Sequence, residues 1–335
     1  MAADQQLSLD EVRQTALRAL TAVGVAEAIA EVMAESVVLA EAEGLRSHGL
    51  ARLPAYCEHV RCGKVMANAV PSLEQTGPGV LRVDANSGFA HPAIALALPR
   101  LVEMAGRAGI AAVSIHRSYN CGVAGHHVEW LAQRGLIALA FVNAPASIAP
   151  WGGIKAVFGT NPFAFAAPRR NGHTLVIDQS SSVVARGEIL LRAQAKQTLP
   201  AGWAIDAQGD PTTDPDAALS GSLLPAGGYK GAGQALAVEL LAAALTGATL
   251  AIHASSFGDN VGGPPGTGQL FIAMDPRSFG GSESFLDSIE ALAAAIEEQP
   301  GARLPGSQRA QARKRTEREG VSVPMSLLNR ILPAP

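Results

Sequence analysis

From Gly79 to Pro168, short apolar runs rich in β-formers alternate with stretches of helical periodicity, and no linker separates them. Such interleaving has few packed solutions, and it makes the chain an α/β protein. "GVLRVDANSGFAHPAIALALPRLVEMAGRAG" reads as a strand, a turn and a helix closed by Gly109, followed by the strand "IAAVSIHRS" and the helix "VAGHHVEWLAQRG". "LIALAFVNAPASIAP" and "FGTNPFAFAAP" are strands separated by the loop "WGGIK", and "HTLVIDQSSS" is a strand running into a polar turn. A late strand, "GQLFIAMDP", lies far from these in sequence. Upstream, Ser8 caps one helical pattern that stops at Gly24, and a second runs from about Ala26 to Glu43, ending at Gly44. Residues 202–228 are turn-rich, 230–247 form a long apolar helix, and "FLDSIEALAAAIEEQ" is an amphipathic one. "RAQARKRTEREG" alternates charge at helical spacing, as a solvated helix face does.

With 335 residues, 48% of them hydrophobic, the chain can bury one large core or two closely packed ones. A net charge of −3 offers no basic field for nucleic acid, and 4% aromatic residues are too few for base-stacking platforms. Cys57, Cys62 and Cys121 form no CxxC pair and leave an odd count, which points to reduced thiols and a cytoplasmic setting. The first twenty residues lack the basic flank and unbroken apolar core of a signal peptide. The most apolar stretch, "ALAVELLAAALTGATLAI", is broken by Glu239, Thr246 and Gly247, so it reads as a buried helix and no membrane partner is expected.

No GxGxxG follows a strand; "GVAGHH" and "GYKGAG" come nearest, with the wrong glycine spacing. Walker, zinc-ligand and nucleophile-elbow patterns are missing too, and the adjacent His126 and His127 point to different helix faces, so no metal is expected. Two glycine-rich loops each carry a lysine, Lys155 and Lys230. Lys230 precedes the long helix, whose free N–H groups and dipole attract phosphate; a plain turn is the other reading. The segment "RSHGLARLPAY", Arg46 to Tyr56, concentrates a histidine, two arginines, a serine and a tyrosine in an otherwise apolar chain. It reads either as a surface patch or as a proton donor beside a carboxylate clamp. On a helix His48 and Arg52 would share a face, although Pro54 interrupts that helix.

Five segments, "RSHGLARLPAY", "GTNPFAFAAP", "LVIDQSSSVVARG", "GGYKGAGQALAVELLAAALTGA" and "GQLFIAMDP", resemble in order and spacing the type-2 malate/L-lactate dehydrogenase family, over about residues 8–320. That family includes sulfolactate and ureidoglycolate dehydrogenases and the Δ1-piperideine-2-carboxylate reductases. The resemblance implies a non-Rossmann, mixed-sheet cofactor domain (116–269) packed with a helical/α-β substrate- and dimer-forming part (1–115 with 270–335). It further implies NAD(P)H as cofactor, a small carboxylate substrate and a homodimer. His48 matches the family's proton donor or acceptor, and Ser47, Arg52, Tyr56 and Asn120 fall at its substrate. Gly122 and His126, Thr160 and Asn161 of "GTNP", Asp178, Gln179, Ser180, Ser181 and Ser182, Lys230 with Gly231, and Pro305 with Gly306 fall along its cofactor.

One departure stands out. Several members carry a second histidine in "S-x-H-x-G", where this chain reads "SYNCG" and Asn120 replaces it. Asparagine hydrogen-bonds but cannot shuttle a proton, so the acid–base work falls on His48. The expected reaction is hydride transfer between nicotinamide and C2 of a small 2-oxo/2-hydroxy acid of malate, lactate or sulfolactate type. The alternative is reduction of a cyclic ketimine, Δ1-pyrroline- or Δ1-piperideine-2-carboxylate, which Asn120 favours because an iminium arrives already protonated. A nucleotide-binding protein without turnover is the alternative of another class; the presence of His48 and Arg52 argues against it. Arg186 is the candidate partner for a 2′-phosphate.

Overall fold

The computed structural model describes residues 4–332. Seven strands form one mixed sheet, in the spatial order Ser72–Gly77, Val80–Asp84, Ile110–Ser118, Thr267–Met274, Ile137–Val142, Phe163–Pro168 and Thr174–Gln179. Only Val80–Asp84 and Ile110–Ser118 run parallel, joined by the helix Ala90–Ala108; every other pair is antiparallel. The late strand is thus threaded between two strands read as neighbours in sequence, and it is buried along most of its length. Strand Ile137–Val142 alternates buried and partly exposed residues, the period-2 pattern of a sheet packed on one face. Helices Ala90–Ala108 and Ala124–Ala132 supply that packing around Leu81, Val113, Ile115, Leu101 and Phe271, all fully buried.

A second core joins helices Leu9–Ala22, Glu27–Ala42 and Leu53–Arg61 with the two-stranded pairing of Asp4–Leu7 and Val321–Pro324. Ser8 begins it with a capping box: its Oγ accepts from the Glu11 N–H at 3.2 Å, and the Glu11 carboxylate accepts from the Ser8 N–H at 2.7 Å. A third, small core around Ile148, Phe158, Ile189 and Leu223 lies under the turn-rich region and a three-stranded sheet of two-residue strands.

The division drawn at 115/116 and 269/270 passes through strands Ile110–Ser118 and Thr267–Met274, which are hydrogen-bonded neighbours in the one sheet. The strand Ser72–Gly77 and the helix Arg186–Gln194 add elements beyond those read from periodicity. The long apolar helix is α-helical over Tyr229–Glu239 and passes into a π-helical turn, Leu240–Ala244. Glu239, which looked like an interruption, is buried with both oxygens occupied: Oε1 accepts from the Ala251 N–H at 2.6 Å and Oε2 from Asn161 Nδ2 at 2.8 Å. Among the described residues, no helix is long and apolar enough to cross a membrane.

Candidate active site

The segment that carries His48 is not one helix. Two short 3₁₀ turns, Arg46–His48 and Leu50–Arg52, meet at Gly49, and the α-helix Leu53–Arg61 follows with Pro54 in its permissive first turn. Gly49 is dictated by a neighbour: a Cβ there would lie 2.2 Å from Glu41 Oε1. That same oxygen accepts the Leu50 N–H at 2.7 Å, so the buried Glu41 carboxylate holds the turn in shape.

His48 is partly buried, and its Nδ1 lies 3.0 Å from Ser47 Oγ. Burial and the nearby Arg52 guanidinium push the imidazole down to about 4, against an opposing pull from the Asp178 carboxylate. It is therefore neutral near pH 7. Arg52 is partly buried with its Cζ 5.7 Å from the Tyr56 ring centre and 5.8 Å from that of Phe257. Among the described residues no carboxylate lies within ion-pair reach of it. Tyr56, expected against the substrate, is buried instead, and its hydroxyl donates to Asn120 Oδ1 at 3.0 Å. The Gly122 N–H donates to the same oxygen at 2.8 Å, which leaves the Asn120 amide NH₂ as the group free to turn outward.

Behind His48 a charged network ties three helices together. Glu43, at the end of helix Glu27–Ala42, accepts from His126 Nε2 at 2.9 Å and from Arg313 of helix Ser307–Glu319. Arg313 also meets Glu129 at 2.9 Å, whose other oxygen takes the Thr174 hydroxyl at 3.1 Å. Burial raises the Glu43 carboxyl, but hydrogen bonds and charge from His126 and Arg313 outweigh it and hold the group at about 2. One turn earlier, Arg309 pairs with Asp178 at 3.2 Å, and the Gly125 N–H donates to the same carboxylate oxygen at 3.0 Å. A Cβ on Gly125 would sit 2.8 Å from that oxygen, so glycine is needed for the approach. The tail helix is therefore not merely a solvated face: Arg309 and Arg313 turn inward.

The family model for malate/L-lactate dehydrogenase matches residues 7–332. A (2R)-3-sulfolactate dehydrogenase (NADP(+)) of Chromohalobacter salexigens is 48% identical over 98% of this chain and 97% of its own. A Δ1-pyrroline-2-carboxylate/Δ1-piperideine-2-carboxylate reductase of Pseudomonas aeruginosa is 42% identical over 98% of both chains. The crystal structure of the Δ1-piperideine-2-carboxylate reductase from Pseudomonas syringae pv. tomato superposes with a TM-score of 0.92, at 36% identity and 98% coverage of each chain.

The chain belongs to the malate/L-lactate dehydrogenase family.

As an oxidoreductase of that family, the protein brings most of the segments expected along a cofactor to the end of strand Thr174–Gln179. The Ala226 N–H donates to Ser181 O at 2.9 Å, which sets the turn before Lys230 beside the serine run. Gly306, left-handed at φ +81°, opens helix Ser307–Glu319 against Val176 of the same strand. Helix Tyr229–Glu239 begins without a side-chain cap, so its first N–H groups remain for an anion, whereas the Gly125 N–H of helix Ala124–Ala132 is taken by Asp178 and the Ser307 N–H of helix Ser307–Glu319 by Leu304 O. Lys230 and Gln179 are exposed, Thr160, Ser180 and Gly122 partly so, and Pro305 is exposed beside Gly306.

Three expected contacts have other employment. Asn161 is fully buried, its Nδ2 donating to Ala235 O at 2.9 Å as well as to Glu239. The Ser181 hydroxyl donates to Asn161 O at 2.8 Å, and that of Ser182 to Val184 O at 2.7 Å. These side chains shape the turn from within; Gly231 does so as well, because a Cβ there would overlap Ala226 O at 2.2 Å. Arg186 donates to Leu219 O at 3.0 Å.

Sequence reading passed over Glu43, Glu129, Arg309 and Arg313. Glu43 had a signal: an acid at a helix C-terminus faces the negative end of the dipole and needs a partner from elsewhere. Glu43→Gln is expected to lower stability by about 3–5 kcal/mol at neutral pH, the usual loss when a buried ion network forfeits one partner. Its folded-state pKa is depressed to about 2 from 4.5, so this contribution is complete above about 4.5 and disappears as pH falls toward 2. Thermal midpoints of the two proteins should thus converge in acid; a gap that stays constant from pH 7 to pH 3 would mean the network is not what Glu43 contributes.

Proposed function

We propose that this enzyme exchanges hydride between NAD(P)H and C2 of a small 2-oxo/2-hydroxy acid, with Arg52 holding the substrate carboxylate and His48 carrying the proton. Arg52 carries the reading. A partly buried guanidinium without a carboxylate is costly, and its planar fork matches a substrate carboxylate bidentately. The uncapped start of helix Tyr229–Glu239, Lys230 and the left-handed Gly306 fit a phosphate-bearing cofactor. When bound, the nicotinamide supplies or takes the hydride.

His48 does the rest of the chemistry. Neutral in the free enzyme, it accepts the hydroxyl proton during oxidation; in the reverse direction its protonated form donates to the developing alkoxide. A carboxylate placed on Arg52 offsets the positive charge that depresses His48, so substrate binding itself raises the histidine's proton affinity. The cyclic ketimine reading is favoured by a separate observation: Asn120 is locked by Tyr56 and Gly122 and offers no second proton donor.

A homodimer in the cytoplasm completes the proposal. Tyr229, Leu236, Leu240 and Leu245 are 65%, 47%, 53% and 67% exposed and follow one face of the helix and its π-turn. All three cysteines are free thiols, in keeping with a reducing compartment. Sedimentation should give a dimer that Leu240→Glu dissociates; a wild-type monomer at micromolar concentration would remove this part.

Two measurements test the chemistry. Arg52→Lys keeps the charge but loses the fork, and the substrate KM should rise tenfold or more, about 1.4 kcal/mol, with the cofactor KM little changed. An unchanged substrate KM would show that Arg52 is not the clamp. The pH dependence of kcat/KM reports the free enzyme, where His48 titrates near 4. Ketone reduction needs the protonated form, so its kcat/KM should fall steadily as pH rises through the neutral range. Oxidation of the hydroxy acid needs the neutral form and should be flat in His48 over the same range. His48→Ala should abolish both dependences and cost roughly 10²–10⁴ in kcat. Persistence of the slope in that variant would assign the proton to another group.

A further inference from the structure

The loop between the π-turn and strand Thr267–Met274 is held by an unusual device. Lys64 is fully buried, and its ammonium makes three hydrogen bonds: to Ser256 O at 2.6 Å, to Asp259 O at 2.7 Å and to Asp259 Oδ1 at 3.1 Å. All three donors of the ammonium are thereby used on one short irregular segment. His59 adds a second tie, with Nε2 3.0 Å from Asp259 O and Nδ1 bonded to the Tyr119 hydroxyl. The loop braces itself too: the Gly258 N–H donates to Ser256 Oγ, and the Val261 N–H to Asp259 Oδ1, each at 2.9 Å.

Burying a lysine is expensive, so what it fixes is informative. The segment contributes one large side chain to the helical core, Phe257. The Phe257 ring centre lies 5.0 Å from that of Tyr119 and 5.8 Å from Arg52 Cζ. Tyr56 flanks the same guanidinium at 5.7 Å and packs edge-on to Tyr119. Two of the chain's three tyrosines are therefore gathered with Phe257 around the one cation read as the carboxylate clamp. A carboxylate held at Arg52 would lie beside these rings. Phe257 stands on an irregular loop tied down through Lys64 and His59, where the others stand on a helix and a strand end.

Resting on the Arg52 reading above, we infer that Phe257 is a specificity-determining residue that limits the size of the substrate's tail, and that Lys64 is the positioning residue that holds it there. Removing the ring opens space beyond Arg52, which favours the larger of two otherwise matched acids. Releasing the strap has the same consequence because Phe257 leaves its place. The chemical class favoured by this wall is a monocarboxylate whose remaining carbons are apolar and compact.

The test compares substrate pairs that differ by one methylene: Δ1-piperideine- with Δ1-pyrroline-2-carboxylate, and 2-oxobutanoate with pyruvate. For whichever pair the full-length enzyme turns over, Phe257→Ala should shift the kcat/KM ratio toward the larger member by about fourfold or more, the worth of one methylene contact. The cofactor KM should stay within twofold of wild type. Lys64→Met should shift the ratio in the same direction, and adding it to Phe257→Ala should give no further shift, since both act through one ring. Should Lys64→Met prove unstable, Phe257→Leu, which touches no buried polar group, must still show a shift of the same sign. An unchanged ratio in both Phe257 variants, with wild-type turnover intact, overturns the wall. Full additivity of Lys64→Met and Phe257→Ala overturns the positioning role. Failure of the wild type to turn over either pair overturns the inferred compact apolar substrate class, while the Arg52 reading stands or falls on Arg52→Lys.

Discussion

The Glu43 carboxylate organises the site. It stands at the end of helix Glu27–Ala42, five residues before His48, and receives His126 from one helix and Arg313 from another. Without it, the tail helix Ser307–Glu319 would have lost an anchor on the N-terminal core, and Arg309 would not be carried to Asp178 at the end of the sheet's edge strand. One buried charge thereby sets the distance between the segment bearing the histidine and the segments that open toward a cofactor. The arrangement tolerates burial because each member has a partner of opposite sign, which is the condition under which buried charge survives.

A second balance acts on His48. Arg52 and burial favour its neutral form, whereas Asp178 favours the charged one. Asp178 is in turn tied to Arg309 and to the Gly125 N–H, so much of its charge is already answered. The histidine is left responsive to what arrives at Arg52. Under the proposed reading a substrate carboxylate would offset the Arg52 charge, while burial would still favour the neutral imidazole.

Much of this was legible in the chain. Alternation gave the strands of the sheet and the helices between them, because one covered face leaves a period-2 record. Family resemblance pointed to His48, Arg52 and the glycine-bearing turns. The order of the sheet was not legible: Thr267–Met274 pairs with strands more than a hundred residues away, and local pattern carries no partner information. Arg309 and Arg313 read as solvent-facing because helical charge alternation reports exposure, not which charge turns inward. Asn161, Ser181 and Ser182 illustrate the converse. Their motif reads as lining a cofactor, while their side chains face inward to hold the turn. The tie from Lys64 to Asp259 spans nearly two hundred residues, beyond any periodicity.

Asn120, where the resemblance leads one to expect a histidine, is fixed by its hydrogen bonds. Its carbonyl oxygen accepts from Tyr56 and Gly122, so what it can offer outward is an amide N–H. Such a donor orients an oxygen acceptor but cannot release a proton at neutral pH. With His48 as the proposed proton carrier, neutral when the site is empty, two situations suit the site: a hydroxy acid that gives up its proton, or an iminium that brings its own. Ketone reduction is the demanding case, since the single histidine must first be charged against Arg52. Under the proposed reading, a carboxylate at Arg52 would relieve part of that opposition, and the clamp and the acid–base group would then work as one unit.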